Sequence, residues 1–239
     1  SWEGRQTNGP VAVETLASKL NASLKSYGVM QAQSDYSNVI TEISLFQNTG
    51  LLGQVDQYIA DLNRKKADRG TLFLIEIGSW DLADHLWSEG GMDDQAITDL
   101  ADQTIANVSK AVTSLAGAGA KRFLVVNTLD LARLPATGEA GLVHVGKTFQ
   151  DRLVAQMPVE MEALAQELQV EIQVFDLVAA VTKIRDDAGK YDLTNLNVPC
   201  FSGQGPCAKP EAYYWWNGTA LSARVHEILG EMMAEQISK

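Results

Sequence analysis

Three short apolar segments separated by helical patterns constrain the fold of this chain more than any other feature. They are TLFLIEIG at 71–78, KRFLVVN at 121–127 and VEIQVFD at 170–176, and each predicts a buried β-strand. Strands joined by helices of about ten residues or more pair in parallel through right-handed crossovers. The pattern therefore predicts an α/β fold, a three-layer α/β/α sandwich with a parallel sheet, in a single domain over 1–239.

The helices are predicted from apolar residues that recur every three or four positions. Pro158 lies inside one of these patterns and predicts a kink. A turn-rich loop is expected over 189–212. The predicted helices cover 10–26, 51–63, 93–116, 148–168, 176–186 and 222–237.

Charge and composition exclude several classes of partner. The chain has 30 acidic against 19 basic residues, a formal net charge of −11, and such a surface repels the phosphates of nucleic acids and anionic lipids. No apolar run approaches the roughly 18–20 residues of a membrane span. The 3 histidines and 2 cysteines leave few ligands for a transition metal. We therefore expect no nucleic-acid partner, no membrane span and no metal site.

The cysteines and the glycosylation sequons bear on the compartment. Cys200 and Cys207 bracket the hexapeptide FSGQGP, a spacing too wide for a CxxC motif, so they form either a small disulfide loop or two free thiols. Asn-x-Ser/Thr sequons at Asn21, Asn107 and Asn217 favour an oxidising, extracellular environment. We predict a secreted glycoprotein with a Cys200–Cys207 disulfide and N-glycosylation at these three sites.

Four segments resemble, in order, sequence blocks of the GDSL esterases, the SGNH hydrolase superfamily. GRQTNGPVAVETLASKL at 4–20 is similar to the family's "GR(x)SNGPVWVEYLA" stretch, LFLIEIGSWDLAD at 72–84 to its strand and "GxND" block, and FLVVNTLDLARLPA at 123–136 to "NLPPLGRTPA". Residues 200–232 resemble its cysteine-bracketed loop and terminal "YLFWDGVHPTTAAHRIL" block. The resemblance covers almost the entire chain and implies an SGNH fold of flavodoxin-like strand order, with esterase or lipase ancestry.

The residues that the family uses for catalysis are replaced at the matching positions. The family's nucleophilic serine belongs to a GDS block on a first strand, and no such block occurs here. The oxyanion asparagine of "GxND" corresponds to Trp80, and the catalytic aspartate and histidine of "DxxHP" correspond to Asn217 and Ala220. The Gly-rich oxyanion segment would fall near 35–39, which has no glycine. Alanine cannot transfer a proton, and an indole is not the compact amide donor that an oxyanion hole requires.

The remaining polar candidates are expected to be structural. His226 lies six positions beyond Ala220 on the last helix, and His85 and His144 have no serine or aspartate spacing around them, which predicts solvated positions. Asp81 and Asp130 are expected to accept hydrogen bonds in turns or at a helix start.

These substitutions favour a non-catalytic, secreted ligand-binding protein on an esterase scaffold. Its ligand is expected to be apolar and planar (an acyl chain or pigment-like molecule) or a sugar, and no cofactor is predicted beyond such a small organic ligand. The alternative is a carbohydrate or lipid esterase whose N-terminal serine block is missing from this sequence. Core packing alone would also explain the two tryptophans. The candidate ligand-binding residues are Trp80, Asp81, Asn127, Trp215, Trp216, Asn217 and Ala220.

Overall fold

The computed structural model describes residues 4–40, 44–89, 93–203 and 205–239, with 85–89 described by their backbone alone. The described chain forms two compact units. Unit 1 combines Ser1–Lys25, Ala132–Val143 and Leu177–Lys239, and unit 2 combines Ser26–Leu131 and His144–Asp176. The single-domain interpretation stays a prediction.

The secondary structure alternates strands and helices as the sequence pattern predicts. The strands are β1 Leu72–Glu76, β2 Arg122–Val126 and β3 Glu171–Phe175. The α-helices in the described ranges are α1 Ala12–Lys19, α2 Leu51–Asp61, α3 Ser79–Glu89, α4 Asp94–Gly117, α5 Pro135–Glu139, α6 Val143–Leu168, α7 Leu177–Asp186 and α8 Ala223–Ile237. None of them combines the length and hydrophobicity that crossing a bilayer requires.

Unit 2 contains a parallel sheet in the order β1-β2-β3, which confirms the predicted α/β fold class. In the register of the sheet, Arg122 lies opposite both Leu72 of β1 and Glu171 of β3. The central strand is buried from Phe123 to Val126, because both of its edges are paired and its side chains face the core. The long helix α4 begins at the N-cap residue Asp93, whose carboxylate accepts a hydrogen bond from the backbone N–H of Ala96 at 2.8 Å.

Unit 1 is built on the packing of α1 against α8. Gly230 of α8 permits this close approach, since a Cβ at this position would lie 2.5 Å from the carbonyl oxygen of Ala12. Helix α1 is shorter than the predicted 10–26: it ends at Lys19, and Asn21 adopts the left-handed conformation with φ of 51°. Asparagine tolerates that conformation, which interrupts the helix although the apolar pattern continues beyond it.

Candidate functional site

In unit 2, a glycine turn leads from β1 to two of the predicted site residues. Gly78 has a φ of +118°, which a residue with a side chain rarely adopts, and a Cβ there would also lie 3.2 Å from Cγ2 of Thr104. Helix α3 begins directly afterwards, so Trp80 and Asp81 both lie in its first turn. Trp80 is half-buried. The sequence interpretation did not include this helix.

Asp81 is the centre of a buried hydrogen-bond network. Its side chain is 7% exposed; Oδ1 accepts a hydrogen bond from the Ser34 hydroxyl at 2.5 Å, and both carboxylate oxygens lie 3.1 Å from the Ser34 backbone nitrogen. Asn107 of α4 completes the network, because its Nδ2 donates to the Ser34 hydroxyl at 3.0 Å. Asp81 therefore attaches the segment around Ser34 to α3 and, through Asn107, to α4.

Burial raises the pKa of Asp81 from 3.8 to about 6. The hydrogen bonds from Ser34 act in the opposite direction, and the nearby charge of Asp35 adds to the rise. Ser34 is itself buried at 1% exposure, so this serine and its carboxylate partner are not accessible to a substrate. The network is a structural attachment.

Asn127 is fully buried where β2 ends. Its Nδ2 donates to the carboxylate of Asp176 at 3.0 Å, and its Oδ1 accepts from the backbone N–H of Thr128 at 2.7 Å. Its backbone N–H donates to the carbonyl of Phe175, the last residue of β3. The asparagine thus joins the ends of two neighbouring strands, and both ends of its side-chain amide are occupied by protein groups.

In unit 1, the four predicted site residues of the terminal block lie in one tight loop. Trp215 forms a β-bridge with Leu221, and the backbone N–H of Trp216 donates to the carbonyl of Ala220 at 2.9 Å. Trp215 is buried and Trp216 is half-buried, so their alternation directs one indole to the core and the other towards the surface.

Two residues of this loop, Asn217 and Ala220, have no side-chain group that could act as an acid or base towards a substrate. Oδ1 of Asn217 accepts hydrogen bonds from the backbone N–H of Thr219 at 2.9 Å and from its hydroxyl at 3.2 Å. Ala220 contributes its carbonyl to the loop, which accepts from Trp216 and Asn217, and its side chain is a methyl group. An amide and a methyl group do not act as acid and base at neutral pH.

The N-terminal TNGP segment is attached to the same loop and to the start of α8. The Thr7 hydroxyl donates to the carbonyl of Leu221 at 2.8 Å, and Oδ1 of Asn8 accepts from the backbone N–H of Ala223 at 2.8 Å. Ser222 caps the helix as well, through the N–H of Val225. The TNGP motif is recognisable in the sequence as a family resemblance. Its attachment to Leu221 and Ala223 is not, because these partners lie more than 200 residues away in the chain.

The two cysteines form a disulfide, as predicted. The bridge closes a loop that contains Phe201, whose ring stacks on Trp216 with centroids 5.5 Å apart and 24° between the planes. Phe201 was not among the predicted site residues, and the only sequence signal for it was its position beside Cys200.

Neither histidine whose side chain is described forms a hydrogen bond with a serine hydroxyl. His144 is exposed and its Nε2 lies 2.7 Å from a carboxylate oxygen of Asp94. His226 of α8 has a buried Nδ1 without a hydrogen-bond partner among the described residues, and burial lowers its pKa to about 4, although Glu14 acts in the opposite direction. The prediction for His85 concerns a side chain outside the described set.

The three sequons differ in their surroundings. Asn21 is exposed after α1, and Asn217 is half-buried in the loop described above. Asn107 is 4% exposed, and its Nδ2, the atom that would carry a glycan, donates to Ser34. A glycan on Asn107 is therefore incompatible with the folded arrangement.

No metal site is formed in the part of the chain that the structure describes: no three His, Cys, Asp or Glu side chains come together there in a way that could hold an ion.

Comparison with known proteins gives one consistent family and fold. The sequence model of the GDSL-like lipase/acylhydrolase family matches residues 1–237. A curated relative, the inactive GDSL esterase/lipase-like protein 25 of Arabidopsis thaliana, is 22% identical over 96% of this chain; the chain spans only 61% of that protein's length.

Among solved structures, a carbohydrate acetylesterase from Sinorhizobium meliloti superimposes with a TM-score of 0.51 at 17% identity, covering 100% of this chain and 91% of that one. An aryl esterase from M. smegmatis superimposes with a TM-score of 0.50 at 15% identity, covering 95% of this chain and 84% of the esterase. At these identities the likeness shows the fold.

Proposed function

Because this chain belongs to the GDSL-like lipase/acylhydrolase family, as its sequence motifs predicted, we propose that it is a member without hydrolase activity that binds a small ligand. The proposal also covers secretion of the protein. The name of the Arabidopsis relative describes that protein as inactive, which supports the same interpretation here.

The observation that carries the proposal is the loop from Trp216 to Ala220. At the positions that match the family's catalytic aspartate and histidine, this loop has an amide already engaged by Thr219 and a methyl group. A serine hydroxyl without a base is a poor nucleophile at neutral pH. Removing a whole catalytic triad leaves a residual acceleration that depends on the oxyanion hole and on binding.

Among the residues that the structure describes, neither His226 nor Ser34 replaces the missing groups. His226 is held within unit 1 in its neutral form, with Nδ1 directed into the protein. The buried hydroxyl of Ser34 donates to a carboxylate and accepts from an amide, so it is neither exposed nor next to a histidine that the structure describes. Both arrangements support folding and give no route for acyl transfer.

The predicted binding residues divide by burial, and we assign their roles accordingly. Within unit 1, the half-buried Trp216, Asn217 and Ala220 are proposed to contact the ligand, and the buried Trp215 to hold the loop. Within unit 2 by itself, the half-buried Trp80 is proposed to contact a ligand bound to that unit. The buried Asp81 and Asn127 are proposed to support their surroundings without touching a ligand.

Secretion and glycosylation are supported by the disulfide and by the exposed sequon at Asn21. A Cys200–Cys207 bridge persists in oxidising compartments. We propose a glycan on Asn21 and none on Asn107 or Asn217, because the amide of Asn107 is buried and Asn217 is half-buried with its Nδ2 3.5 Å from the carbonyl of Gln6. Peptide mass mapping of protein expressed in a glycosylating host should find Asn21 occupied and the Asn107 and Asn217 peptides unmodified.

The test of the proposed function is hydrolysis of p-nitrophenyl acetate and butyrate by the purified chain. We expect rates no higher than those of buffer alone, with no effect of a serine-directed phosphonate. Hydrolysis at enzyme-like rates that the phosphonate abolishes would overturn the proposal. Native mass spectrometry of protein from its natural source would show a bound molecule directly.

The alternative, an esterase of which this sequence is a part, is favoured by the free edge of β1. Within the described strands β1 pairs with β2 alone, and its segment LFLIE has no lysine or proline of the kind that guards an exposed edge. The intact mass of the native protein would reveal an additional serine block. Asn217 and Ala220 would still have to be explained, because they lie within the chain already described.

A further inference from the structure

Unit 1 presents a pair of stacked aromatic rings near its surface. The rings of Phe201 and Trp216, which we call the ring platform, lie 5.5 Å apart at 24°. Phe201 is 39% exposed although it is a large apolar side chain, and Trp216 is half-buried. Burying a large apolar ring stabilises a fold, so leaving this one partly in water forgoes part of that gain.

Covalent and backbone links fix the platform before any ligand arrives. The backbone N–H of Phe201 donates to the carbonyl of Trp216 at 2.8 Å, and that of Cys200 donates to Trp215 at 3.0 Å. The disulfide to Cys207 closes the loop beside Phe201, and the N–H of Trp216 is bonded to Ala220 on the other side. A surface fixed in this way loses little conformational freedom on binding.

We propose that the ring platform binds a neutral oligosaccharide of β-linked pyranose units through the flat apolar face of one sugar ring. The inference rests on the proposed ligand-binding function and names its ligand class. Pockets for acyl chains and pigments enclose about 70–90% or more of their ligands, whereas Phe201 is itself 39% exposed and offers a surface contact. A pyranose with equatorial hydroxyls has an apolar face of this size and a polar edge that stays hydrated.

The chemistry around the platform agrees with this ligand class. Ser202 follows Phe201 in the chain and is exposed, so the platform has beside it a hydroxyl that can hydrogen-bond those of a sugar. The net charge of −11 disfavours anionic ligands such as nucleotides, which would otherwise also stack on aromatic rings. A neutral sugar meets no such repulsion.

The test is calorimetric titration of the whole chain with cellohexaose and with xylohexaose, alongside the variants Phe201→Ala, Phe201→Tyr and Val198→Ala. Loss of one stacking ring should weaken binding about five- to tenfold in Phe201→Ala. Phe201→Tyr should retain the affinity of the original chain. Val198 is 56% exposed and lies near Phe201 in the sequence without a ring, so Val198→Ala should also bind normally. Urea unfolding of each variant checks that the fold is intact.

The outcomes separate this inference from the proposed function. If neither oligosaccharide binds at millimolar concentration, or if Phe201→Ala and Val198→Ala bind equally well, the platform is not a sugar site. If the chain binds a fluorescent fatty acid and neither sugar, the inference is overturned, while the proposed non-catalytic binding function stands. Hydrolysis of nitrophenyl esters would overturn the function, and the effect of Phe201→Ala on sugar binding would still decide the inference.

Discussion

Substitution of Asp81 by asparagine should remove a specific part of the pH dependence of stability. In the folded chain burial raises the pKa of Asp81 from 3.8 to about 6. The folded state therefore holds the proton more tightly than the unfolded state does. The stabilisation from the protonated form is complete below pH 3.8 and is lost as the pH rises through about 6.

The size of the effect follows from that difference. Each tenfold change in an equilibrium constant is about 1.4 kcal/mol, so the rise from 3.8 to about 6 corresponds to about 3 kcal/mol. Roughly two-thirds of it, about 2 kcal/mol, falls between about pH 4.5 and pH 7.5. The asparagine side chain of the variant has no charge to bury, and its oxygen still accepts from Ser34. Its NH₂ group takes the place of the second carboxylate oxygen and cannot accept a hydrogen bond.

The assay is urea unfolding followed by tryptophan fluorescence at four pH values from about 4.5 to about 7.5, one pH unit apart. Relative to the original chain, the free energy of unfolding of Asp81→Asn should rise by about 2 kcal/mol across this range, whatever the offset from the altered hydrogen bonds. Asp99→Asn, which removes the charge of an exposed carboxylate on α4, is the matched control, and the profile of Asp81→Asn is compared with its profile. A difference between Asp81→Asn and the original chain that stays constant with pH would refute the reasoning.

Three further predictions concern unit 1 and its matched controls. Gly230→Ala should destabilise the chain by about 1–3 kcal/mol in urea unfolding, because the added Cβ would lie 2.5 Å from the carbonyl oxygen of Ala12. The matched control is Gly117→Ala, whose added Cβ would have no atom within 4 Å, and it should be neutral or slightly stabilising. Replacing Cys200 and Cys207 together by serine should lower the free energy of unfolding by about 2–3 kcal/mol under oxidising conditions and leave it unchanged under reducing conditions. An equal decrease in the free energy of unfolding under both conditions would contradict a stabilising effect of the disulfide. His226→Gln should unfold less readily in acid than the original chain. Burial lowers the pKa of His226 from 6.5 to about 4, so the folded chain loses stability as the pH falls below 6.5, and glutamine removes this loss. Identical acid midpoints of unfolding would show that His226 does not titrate in this way.

The sequence predicts the elements of this fold that depend on local patterns. The three strands lie where their apolar runs predict them, and the first residue of α8 is one residue from its predicted start. Helix α1 differs from its prediction because a single left-handed residue, Asn21, ends it within an apolar pattern that continues. Helix α3 has no distinct boundary signal after its glycine turn, so it was not predicted.

The candidate site was less predictable, because its polar residues are defined by distant partners. The sequon at Asn107 is a local pattern, but Ser34 determines its environment from another part of the chain. Asn8 stands in a recognisable motif, and its role becomes clear only when the start of α8 lies beside it. A hydrogen bond between residues far apart in sequence leaves no periodicity to detect in either segment.

The contacts of Thr7 and Asn8 with the start of α8 also set an order of events during synthesis. Unit 2 has all of its residues once Asp176 has left the ribosome. The segment that carries Thr7 and Asn8 precedes unit 2 in the chain, whereas its partners Leu221 and Ala223 follow unit 2. Since domains fold as their residues emerge, we expect this segment to stay without these partners while unit 2 is synthesised, exposed to chaperones and proteases, until Leu221 and Ala223 are released.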